Sequence, residues 1–278
     1  MQPVVLSIAG FDPSSGAGVT ADIKTGAAHG CYLVTCVTAL TVQNTLGVRR
    51  VEPVSGEVVA ESLYELAQDF EISAVRIGML GSGEVAEAVA SFLETTKLPN
   101  LVLDPILRSS SGADLLDHRG FETLKSRILP LADLVTPNMA EAAALTGLEV
   151  GDLEQMHLAG QRLIALGARN VVVTGGHLAG RRAIDLLLCR AESGGEVFEE
   201  ELAAGHIDSK STHGTGCAFA TSVACHLARG LRMPDAVAGA KNFVRGAIEN
   251  AEPMGQGKGP MGLLWPLRRQ REEGQNSK

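Results

Sequence analysis

The sequence lacks the features that place a protein in a membrane or in an oxidising compartment. No apolar run approaches the roughly 20 residues of a membrane-spanning helix, and residues 1–10 lack the basic start of a signal peptide. The 5 cysteines are odd in number, and none forms a Cys-x-x-Cys pair. Disulfide scaffolds and zinc sites use paired cysteines, so neither is indicated, and we expect a protein of the reducing cytoplasm.

Positive charge is also scarce. The chain carries 24 Lys and Arg residues against 32 Asp and Glu residues, a formal net charge of −8, and its isoelectric point is near 5.4. This balance disfavours a broad electrostatic contact with nucleic acid or with an anionic membrane, so we expect neither as a partner. An anionic ligand must therefore be bound by a few local groups.

No internal repeat, low-complexity segment or single-sign charge run divides the 278 residues. The composition is 45% hydrophobic and the mean hydropathy is +0.12, which supplies enough apolar surface for one large core. We predict a single domain over residues 1–267, followed by a polar, frayed tail over residues 268–278.

Short β-branched or aliphatic runs alternate with amphipathic helical patterns. Strands are predicted at residues 4–9, 34–42, 74–77, 101–103, 134–136 and 171–174, and helices at 58–70, 84–95 and 153–166. Strands and helices in alternation form right-handed βαβ units, and residues 70–167 are the clearest such block. The predicted fold class is a doubly wound α/β fold, with a mostly parallel sheet and helices on both faces. Ligands of such sheets bind beyond the carboxyl ends of the strands.

The segment STHGTGCAFATSVACHLARG, residues 211–230, predicts a tight turn that opens a helix. Gly214 and Gly216 permit the turn, and the residues after Cys217 follow helical spacing. A helix N-terminus offers free N–H donors and a partial positive charge, which suit a phosphoryl group. That position should also favour the thiolate of Cys217. A glycine-rich turn followed by a small buried thiol, with no functional role, is the alternative explanation of the same residues.

Two other glycine-rich segments follow predicted strands. IAGFDPSSGAGVTADIKT, residues 8–25, matches neither GxGxxG nor a P-loop, so its glycines serve either close approach of a flat substrate or a plain tight turn. VVVTGGH, residues 171–177, suits backbone contact with a nucleotide or an ordinary turn into a strand at residues 181–188. His177 and His213 could each contact a phosphate, although turn histidines are more often hydrogen-bonded surface residues.

Carboxylates follow two neighbouring predicted strands. Asp104 comes directly after the strand at residues 101–103, and Asn138 and Glu141 follow the next one. Asn138 and Glu141 have the spacing of a helix capping box. A carboxylate at that position can also order a water on Mg²⁺, which prefers few protein oxygens together with substrate phosphates, and Asp104 could do the same.

Seven segments occur in the order and at the spacing of one known family: IAGFDPSSGAGVTADIKT, TVQNT, IGML, LVLDPILRSSSG, TPNMAEAAALTG, VVVTGGH and HGTGC. Single motifs recur by chance, whereas this ordered combination is specific. Over residues 4–262 the chain resembles the hydroxymethylpyrimidine/phosphomethylpyrimidine kinases of thiamine biosynthesis, members of the ribokinase-like superfamily.

The resemblance implies a homodimeric kinase without a separate lid domain. It implies that MgATP phosphorylates the hydroxymethyl group of 4-amino-5-hydroxymethyl-2-methylpyrimidine, and that the monophosphate is then converted to the diphosphate. By motif, the pyrimidine pocket would be lined by Gly10, Asp22, Gln43, Met79 and Ile106. Asp22 and Gln43 would contact the ring nitrogens and the amine. The nucleotide would be bordered by Asn138, Thr174, Gly176, His177 and His213, and Mg²⁺ would be organised by Asp104 and Glu141.

The same resemblance places the chemistry at the glycine turn. Most ribokinase-like enzymes carry an aspartate where Cys217 stands, and this family is marked by the cysteine. Cys217 is then the group that takes the proton from the substrate hydroxyl. The amides of Gly214, Thr215 and Gly216 would hold charge on the transferring phosphoryl group.

The chain departs from the family pattern at three positions. Many relatives carry lysine at the positions of Thr174 and Ser110, and a small residue at that of Phe11. The loss of two cations near a polyphosphate requires another source of positive charge. The candidates are Arg108, Lys210, Lys241 and Lys258.

Two other functions stay open at this point. A pyridoxal or pyridoxine kinase is the alternative within the kinase class, and Gln43 and Met79 favour the aminopyrimidine over it. A non-catalytic pyrimidine-binding homologue is the alternative from another class. The presence of Asp104, Asn138 and Glu141 argues against that loss of activity.

Overall fold

The computed structural model describes residues 2–109, 112–176, 178, 182–190 and 195–269. The strands within these ranges are β1 (Val4–Phe11), β2 (Tyr32–Asn44), β3 (Gly47–Pro53), β4 (Ile72–Ile77), β5 (Leu101–Leu103), β6 (Leu134–Val135), β7 (Asn170–Val173), β8 (Arg182–Arg190) and β9 (Val197–Gly205). They form one sheet in the order β3-β2-β1-β4-β5-β6-β7-β8-β9. The six strands β2, β1, β4, β5, β6 and β7 run parallel, and β3, β8 and β9 pair antiparallel to their neighbours.

Helices cover both faces of the sheet. They are α1 (Gly18–Ala28), α2 (Gly56–Asp69), α3 (Gly83–Thr95), α4 (His118–Thr123), α5 (Met139–Thr146), α6 (Leu153–Ala165), α7 (Thr215–Ala228) and α8 (Met233–Glu249). A π-helical turn (Leu124–Ile128) and a 3-10 turn (Leu129–Leu131) follow α4. The predicted doubly wound α/β fold is therefore confirmed.

Alternation along the strands divides the core between the two faces. Leu6 and Ile8 of β1 pack in the cluster that includes α2, α3, α5 and α6. Val5 of the same strand packs with α7 and α8 on the other face. Strands buried on both faces produce continuous apolar runs, which is why the sequence signals these strands clearly.

Two strands were not predicted, and both lie at the edges of the sheet. In β9, residues 197–201 are all exposed, and three of them are Glu199, Glu200 and Glu201. In β3, both arginines, Arg49 and Arg50, are exposed. An edge strand pairs through its backbone, so its side chains need not be apolar, and charge there opposes edge-to-edge aggregation.

The end of the chain is only partly described. Arg268 and Arg269 of the predicted frayed tail are helical, and Arg268 pairs with Glu252 at 2.7 Å, so the prediction of fraying is wrong for these two residues. Residues 270–278 lie outside the described residues. Among the helices that the structure describes, none has the length and apolar character of a membrane span.

Candidate active site

A cavity of about 1130 Å³ opens at the carboxyl ends of the parallel strands. Residues at the ends of six strands line it, among them Gly10, Gln43, Met79, Asp104, Asn138 and Thr174. The turn before α7, residues 212–214, also lines the cavity. The prediction that these segments meet at one edge of the sheet is confirmed.

The first turn of α7 faces the cavity with Thr215, Gly216 and Cys217. Gly214 is the N-cap and has a φ of 80°, and no side chain caps the helix. A Cβ atom on Gly214 would lie 2.0 Å from the carbonyl oxygen of Gly16, so only glycine fits where the two loops cross. The uncapped N–H groups of this turn can therefore bind an anion in the cavity.

Cys217 is not a stabilised thiolate, so that prediction is wrong. Burial raises the pKa of its thiol to about 11, with further upward contributions from Asp104 and Asp22. Arg76 and a hydrogen bond from the Gly18 amide lower the pKa, but by less than burial raises it. Burial therefore outweighs the groups that favour the thiolate.

A buried arginine, which the sequence analysis missed, forms the floor of the site. Arg76 of β4 is 0% exposed. Its Nη2 lies 2.7 Å from Oδ2 of Asp104, and its Nη1 lies 3.2 Å from Oδ2 of Asp22. A charged residue inside the apolar run ISAVRIGML was the available signal, because a buried arginine needs acidic partners. Arg76 also lines the cavity, so it places a fixed positive charge beside Cys217.

Asp22 does not reach the cavity, so its predicted place in the pyrimidine pocket is corrected. It is 0% exposed and is not a lining residue. Ser7 Oγ donates to its Oδ2 at 2.6 Å, and Thr221 Oγ1 donates to its Oδ1 at 2.7 Å. With Arg76 as the third partner, the carboxylate is used within the fold, and Asp22 acts on the site through Arg76.

Asp104 and Glu141 both line the cavity, and the charge of Asp104 acts on Glu141. Burial raises the pKa of Asp104 to about 6, and burial followed by the charge of Asp104 raises the pKa of Glu141 to about 8. The predicted capping box is confirmed, because Glu141 Oε2 accepts from the Asn138 amide at 2.9 Å and Asn138 Oδ1 accepts from the Glu141 amide at 3.0 Å.

This pair of carboxylates fits a magnesium ion. Their mutual repulsion is relieved by a cation, and carboxylate oxygens are the ligands that Mg²⁺ takes. The described residues contain no group of 3 or more His, Cys, Asp or Glu side chains placed to hold a metal. Asp104 and Glu141 alone would leave most coordination positions to water and to phosphate oxygens, as is usual for Mg²⁺.

The ring of His213 lies between Asp12 and Gln43. Its Nε2 is 2.8 Å from Oδ2 of Asp12. Burial by itself would raise the pKa of Asp12, but hydrogen bonds from His213 and Ser14 outweigh that effect and lower the pKa. An ionised Asp12 requires a proton on that Nε2. Gln43 Nε2 lies 3.0 Å from the same nitrogen, where two donors would meet, so we interchange the two amide atoms of Gln43 and assign its carbonyl oxygen to this contact.

Thr41 supports this orientation of the Gln43 amide. Its hydroxyl donates its only proton to the carbonyl oxygen of Phe11 at 3.0 Å. The Gln43 atom 3.3 Å from that hydroxyl must therefore be the amide nitrogen, which donates. His213 thus lies on the Gln43 side of the cavity, which does not favour its predicted place beside the nucleotide.

The other residues predicted to border the nucleotide, and Phe11, lie in different places. Asn138 and Thr174 line the cavity at the β6 and β7 end. Gly176 is exposed and is not a lining residue, and His177 lies outside the described residues. Phe11 lines the opposite end and is 36% exposed.

The structure separates the candidate replacement cations. Lys241 Nζ lies 2.7 Å from Asp185 Oδ2 and is largely buried, so it is engaged within the fold. Arg108 lines the cavity but pairs with Asp114 at 2.7 Å. Lys210 is exposed and is not a lining residue, whereas Lys258 lines the cavity. Ser110 lies outside the described residues.

Comparisons with known proteins agree with this geometry. A relative in Aquifex aeolicus, the hydroxymethylpyrimidine/phosphomethylpyrimidine kinase, is 42% identical over 254 residues, which cover 91% of this chain and 97% of the relative. The solved phosphomethylpyrimidine kinase of Clostridium difficile 630 superposes with a TM-score of 0.77 at 32% identity, over 89% of this chain and all of the other. The pyridoxal kinase of Staphylococcus aureus in complex with AMP-PCP and pyridoxal gives a TM-score of 0.85 at 29% identity, over 96% of both chains.

The family model described as phosphomethylpyrimidine kinase matches residues 12–262, which is most of the chain. That range begins directly after β1 and ends beyond α8, so it contains every lining residue of the cavity except Ala9, Gly10 and Phe11. The chain therefore belongs to the phosphomethylpyrimidine kinase family.

Proposed function

We propose that this protein transfers the γ-phosphoryl group of MgATP to the hydroxymethyl group of 4-amino-5-hydroxymethyl-2-methylpyrimidine, and then to the resulting monophosphate. The observation that carries the proposal is a single cavity with Gln43 at one end, Thr174 at the other, and the uncapped turn with Cys217 between them. An acceptor, a donor and a site for phosphoryl charge are thereby held in one space.

The acceptor end suits a small flat heterocycle. Gly10, Met79 and Ile106 offer an apolar lining, and Met79 is 7% exposed. The Gln43 amide offers one acceptor and one donor, and its partners His213 and Thr41 fix which atom lies where. A rigid donor and acceptor pair selects an aminopyrimidine edge better than a freely rotating amide does.

The centre supplies charge stabilisation and a proton acceptor. The N–H groups of Gly214, Thr215 and Gly216 bind the phosphoryl oxygens as negative charge redistributes during transfer. Cys217 accepts the hydroxyl proton through the small thiolate fraction that its raised pKa leaves at neutral pH. Because phosphoryl transfer depends mainly on positioning, a small fraction of the basic form can suffice.

Mg²⁺ bound by Asp104 and Glu141 would neutralise polyphosphate charge. The triphosphate would lie towards β6 and β7, where Asn138 and Thr174 line the cavity. Solved structures of the pyridoxal kinase of Staphylococcus aureus carry AMP-PCP, an ATP analogue, which supports ATP as the donor.

ADP release tests the proposal. The protein is supplied with MgATP and, separately, with the hydroxymethylpyrimidine, its monophosphate or pyridoxal, and kcat/KM is compared. Turnover of both pyrimidines well above pyridoxal supports the proposal. No ADP release with any acceptor would contradict it and favour a non-catalytic pyrimidine-binding protein.

A pyridoxal kinase is the second candidate, because solved pyridoxal kinases superpose with TM-scores of 0.85 and 0.86. The buried thiol of Cys217 lines the same cavity and could add to the aldehyde of pyridoxal. Preference for pyridoxal in the ADP assay would assign the protein to this function.

We also propose that the protein is a cytoplasmic homodimer, and that each subunit folds as a single domain over residues 1–267. The β2–β3 hairpin exposes three large apolar side chains, Leu40 at 53%, Val42 at 45% and Leu46 at 64%, which suit a self-association surface. Light scattering that gives a monomer mass would contradict the dimer.

A further inference from the structure

A glycine-rich segment, residues 252–260, borders the acceptor end of the cavity. We call it the strap. Thr45, at the tip of the β2–β3 hairpin, accepts hydrogen bonds at 3.2 Å from the amides of Gln256 and Gly257. A Cβ atom on Gly257 would lie 2.1 Å from the carbonyl oxygen of Thr45, so strap and hairpin are in the closest possible contact. The hairpin therefore fixes the middle of the strap, through a residue two positions from Gln43.

The carboxyl-terminal end of the strap is fixed to the segment that leads into α7. The Gly259 amide donates to the carbonyl oxygen of Lys210 at 3.0 Å, and the His213 amide donates to that of Gly259 at 3.1 Å. These contacts hold the backbone of Lys258 between the β2–β3 hairpin and the turn before α7, and Lys258 lines the cavity.

The charge balance of the cavity makes Lys258 distinctive. The acidic lining residues are Asp12, Asp104, Asp114, Asp117 and Glu141, and the Lys and Arg lining residues are Arg76, Arg108 and Lys258. Arg76 is paired with Asp104, and Arg108 with Asp114. Of these three cations, Lys258 alone forms no ion pair or side-chain hydrogen bond with the residues that the structure describes.

The sheet order places the strap at one end of the cavity. The strap contacts the β2–β3 hairpin, whereas Asn138 and Thr174 follow β6 and β7. Four strand spacings separate β2 from β6, which is roughly 19 Å. Lys258 therefore lies at the acceptor end of the cavity, away from the proposed nucleotide end.

We propose that Lys258 binds the phosphate of a phosphomonoester acceptor, and so determines whether the monophosphate is a substrate. The inference rests on the proposed function. In that step an oxygen of the acceptor phosphate bonds to the γ-phosphorus of ATP, the bond from the γ-phosphorus to the β–γ bridging oxygen breaks, and ADP leaves with that oxygen. The acceptor brings its own negative charge towards the triphosphate, and the Lys258 ammonium offsets this repulsion.

The test compares two acceptors in one matched set of variants. In Lys258→Met we expect kcat/KM for the monophosphate to fall about 10- to 100-fold, the effect of one hydrogen bond to a charged group. The value for the hydroxymethylpyrimidine should stay within about threefold, and KM for ATP should not change. Lys258→Arg should retain most of the monophosphate activity. Lys210→Met makes the same charge change outside the cavity and should behave like the wild type on both acceptors.

The outcomes separate this inference from the proposed function. Equal losses on both acceptors together with a raised KM for ATP would place Lys258 at the nucleotide and overturn the inference. A Lys258→Met variant with unchanged monophosphate turnover would overturn it too, as would a wild type that phosphorylates only the alcohol. A wild type that phosphorylates neither acceptor overturns the proposed function itself.

Discussion

Nη2 of Arg76 lies 2.7 Å from Oδ2 of Asp104, inside the protein and directly beneath the cavity. The side chain of Arg76 is 0% exposed and that of Asp104 is 5% exposed. A second carboxylate, Asp22, contacts the other guanidinium nitrogen at 3.2 Å. One cation therefore compensates two buried anions, and the removal of that cation leaves both carboxylates without compensation.

Replacement of Arg76 should be strongly destabilising. We expect Arg76→Met to lower the free energy of unfolding by about 3–5 kcal/mol, the usual cost of breaking a buried ion pair from one side. Urea denaturation at pH 7 measures the change. Arg232→Met is the matched control, because its pair with Asp235 is exposed and should contribute about 1 kcal/mol or less. Equal losses in the two variants would contradict the compensating role of Arg76.

The raised thiol pKa predicts the pH dependence of turnover. If Cys217 accepts the hydroxyl proton as a thiolate, the active fraction rises about tenfold per pH unit below a pKa of about 11. Log kcat with the hydroxymethylpyrimidine should therefore rise with pH at a slope near 1 above pH 8, where Asp104 and Glu141 are already ionised. In Cys217→Ala we expect turnover lower by roughly 10²–10⁴-fold, with that slope removed. A variant within about threefold of the wild type excludes Cys217 as the proton acceptor.

Two glycines with left-handed backbone provide a matched pair of substitutions. Gly214 and Gly230 have φ values of 80° and 83°. A Cβ atom on Gly214 would clash with Gly16, whereas a Cβ atom on Gly230 would meet nothing within 4 Å. Gly230→Ala should cost about 1–2 kcal/mol of unfolding free energy and leave kcat unchanged. Gly214→Ala should also lower kcat, because the loops that cross there must separate. Equal kcat values would show that the turn tolerates displacement.

Acid should destabilise the protein through His29. Burial, followed by the charges of His226 and Arg229, lowers the pKa of His29 to about 3. Below pH 6.5 the unfolded chain binds a proton that the folded protein does not, so stability falls as the pH decreases towards 3. The loss from this group between pH 7 and pH 5 is up to about 2 kcal/mol.

Urea denaturation at both pH values checks this expectation. His29→Gln keeps a polar partner for Ser222, which lies 2.8 Å from Nε2 of His29, and should be less sensitive to acid than the wild type. His226 contributes with the same sign, because burial also lowers its pKa. An unchanged acid sensitivity in the variant would assign the effect to other groups.

The fold was predictable where burial dominates. Strands β1, β4, β5 and β7 are buried on both faces, and their apolar runs match the observed bounds within two residues. The edge strands β3 and β9 were missed, because backbone pairing holds a strand whose side chains face water.

The site was predictable where a motif fixes the backbone. The glycine turn, the capping box of Asn138 and Glu141, and the meeting of the loops at one edge follow from local rules. The ionisation of Cys217 and the role of Arg76 did not follow, because both depend on distant residues that only the folded sheet brings together. Asp22 is 54 residues from Arg76 in the chain and hydrogen-bonded to it in the structure.

The long cavity also separates two kinds of evolutionary freedom. Its acceptor end is formed by the hairpin of β2 and β3 and by the strap, and its donor end by the loops after β6 and β7. Substitutions at the hairpin tip or the strap can thus change which small molecule enters without altering the donor end.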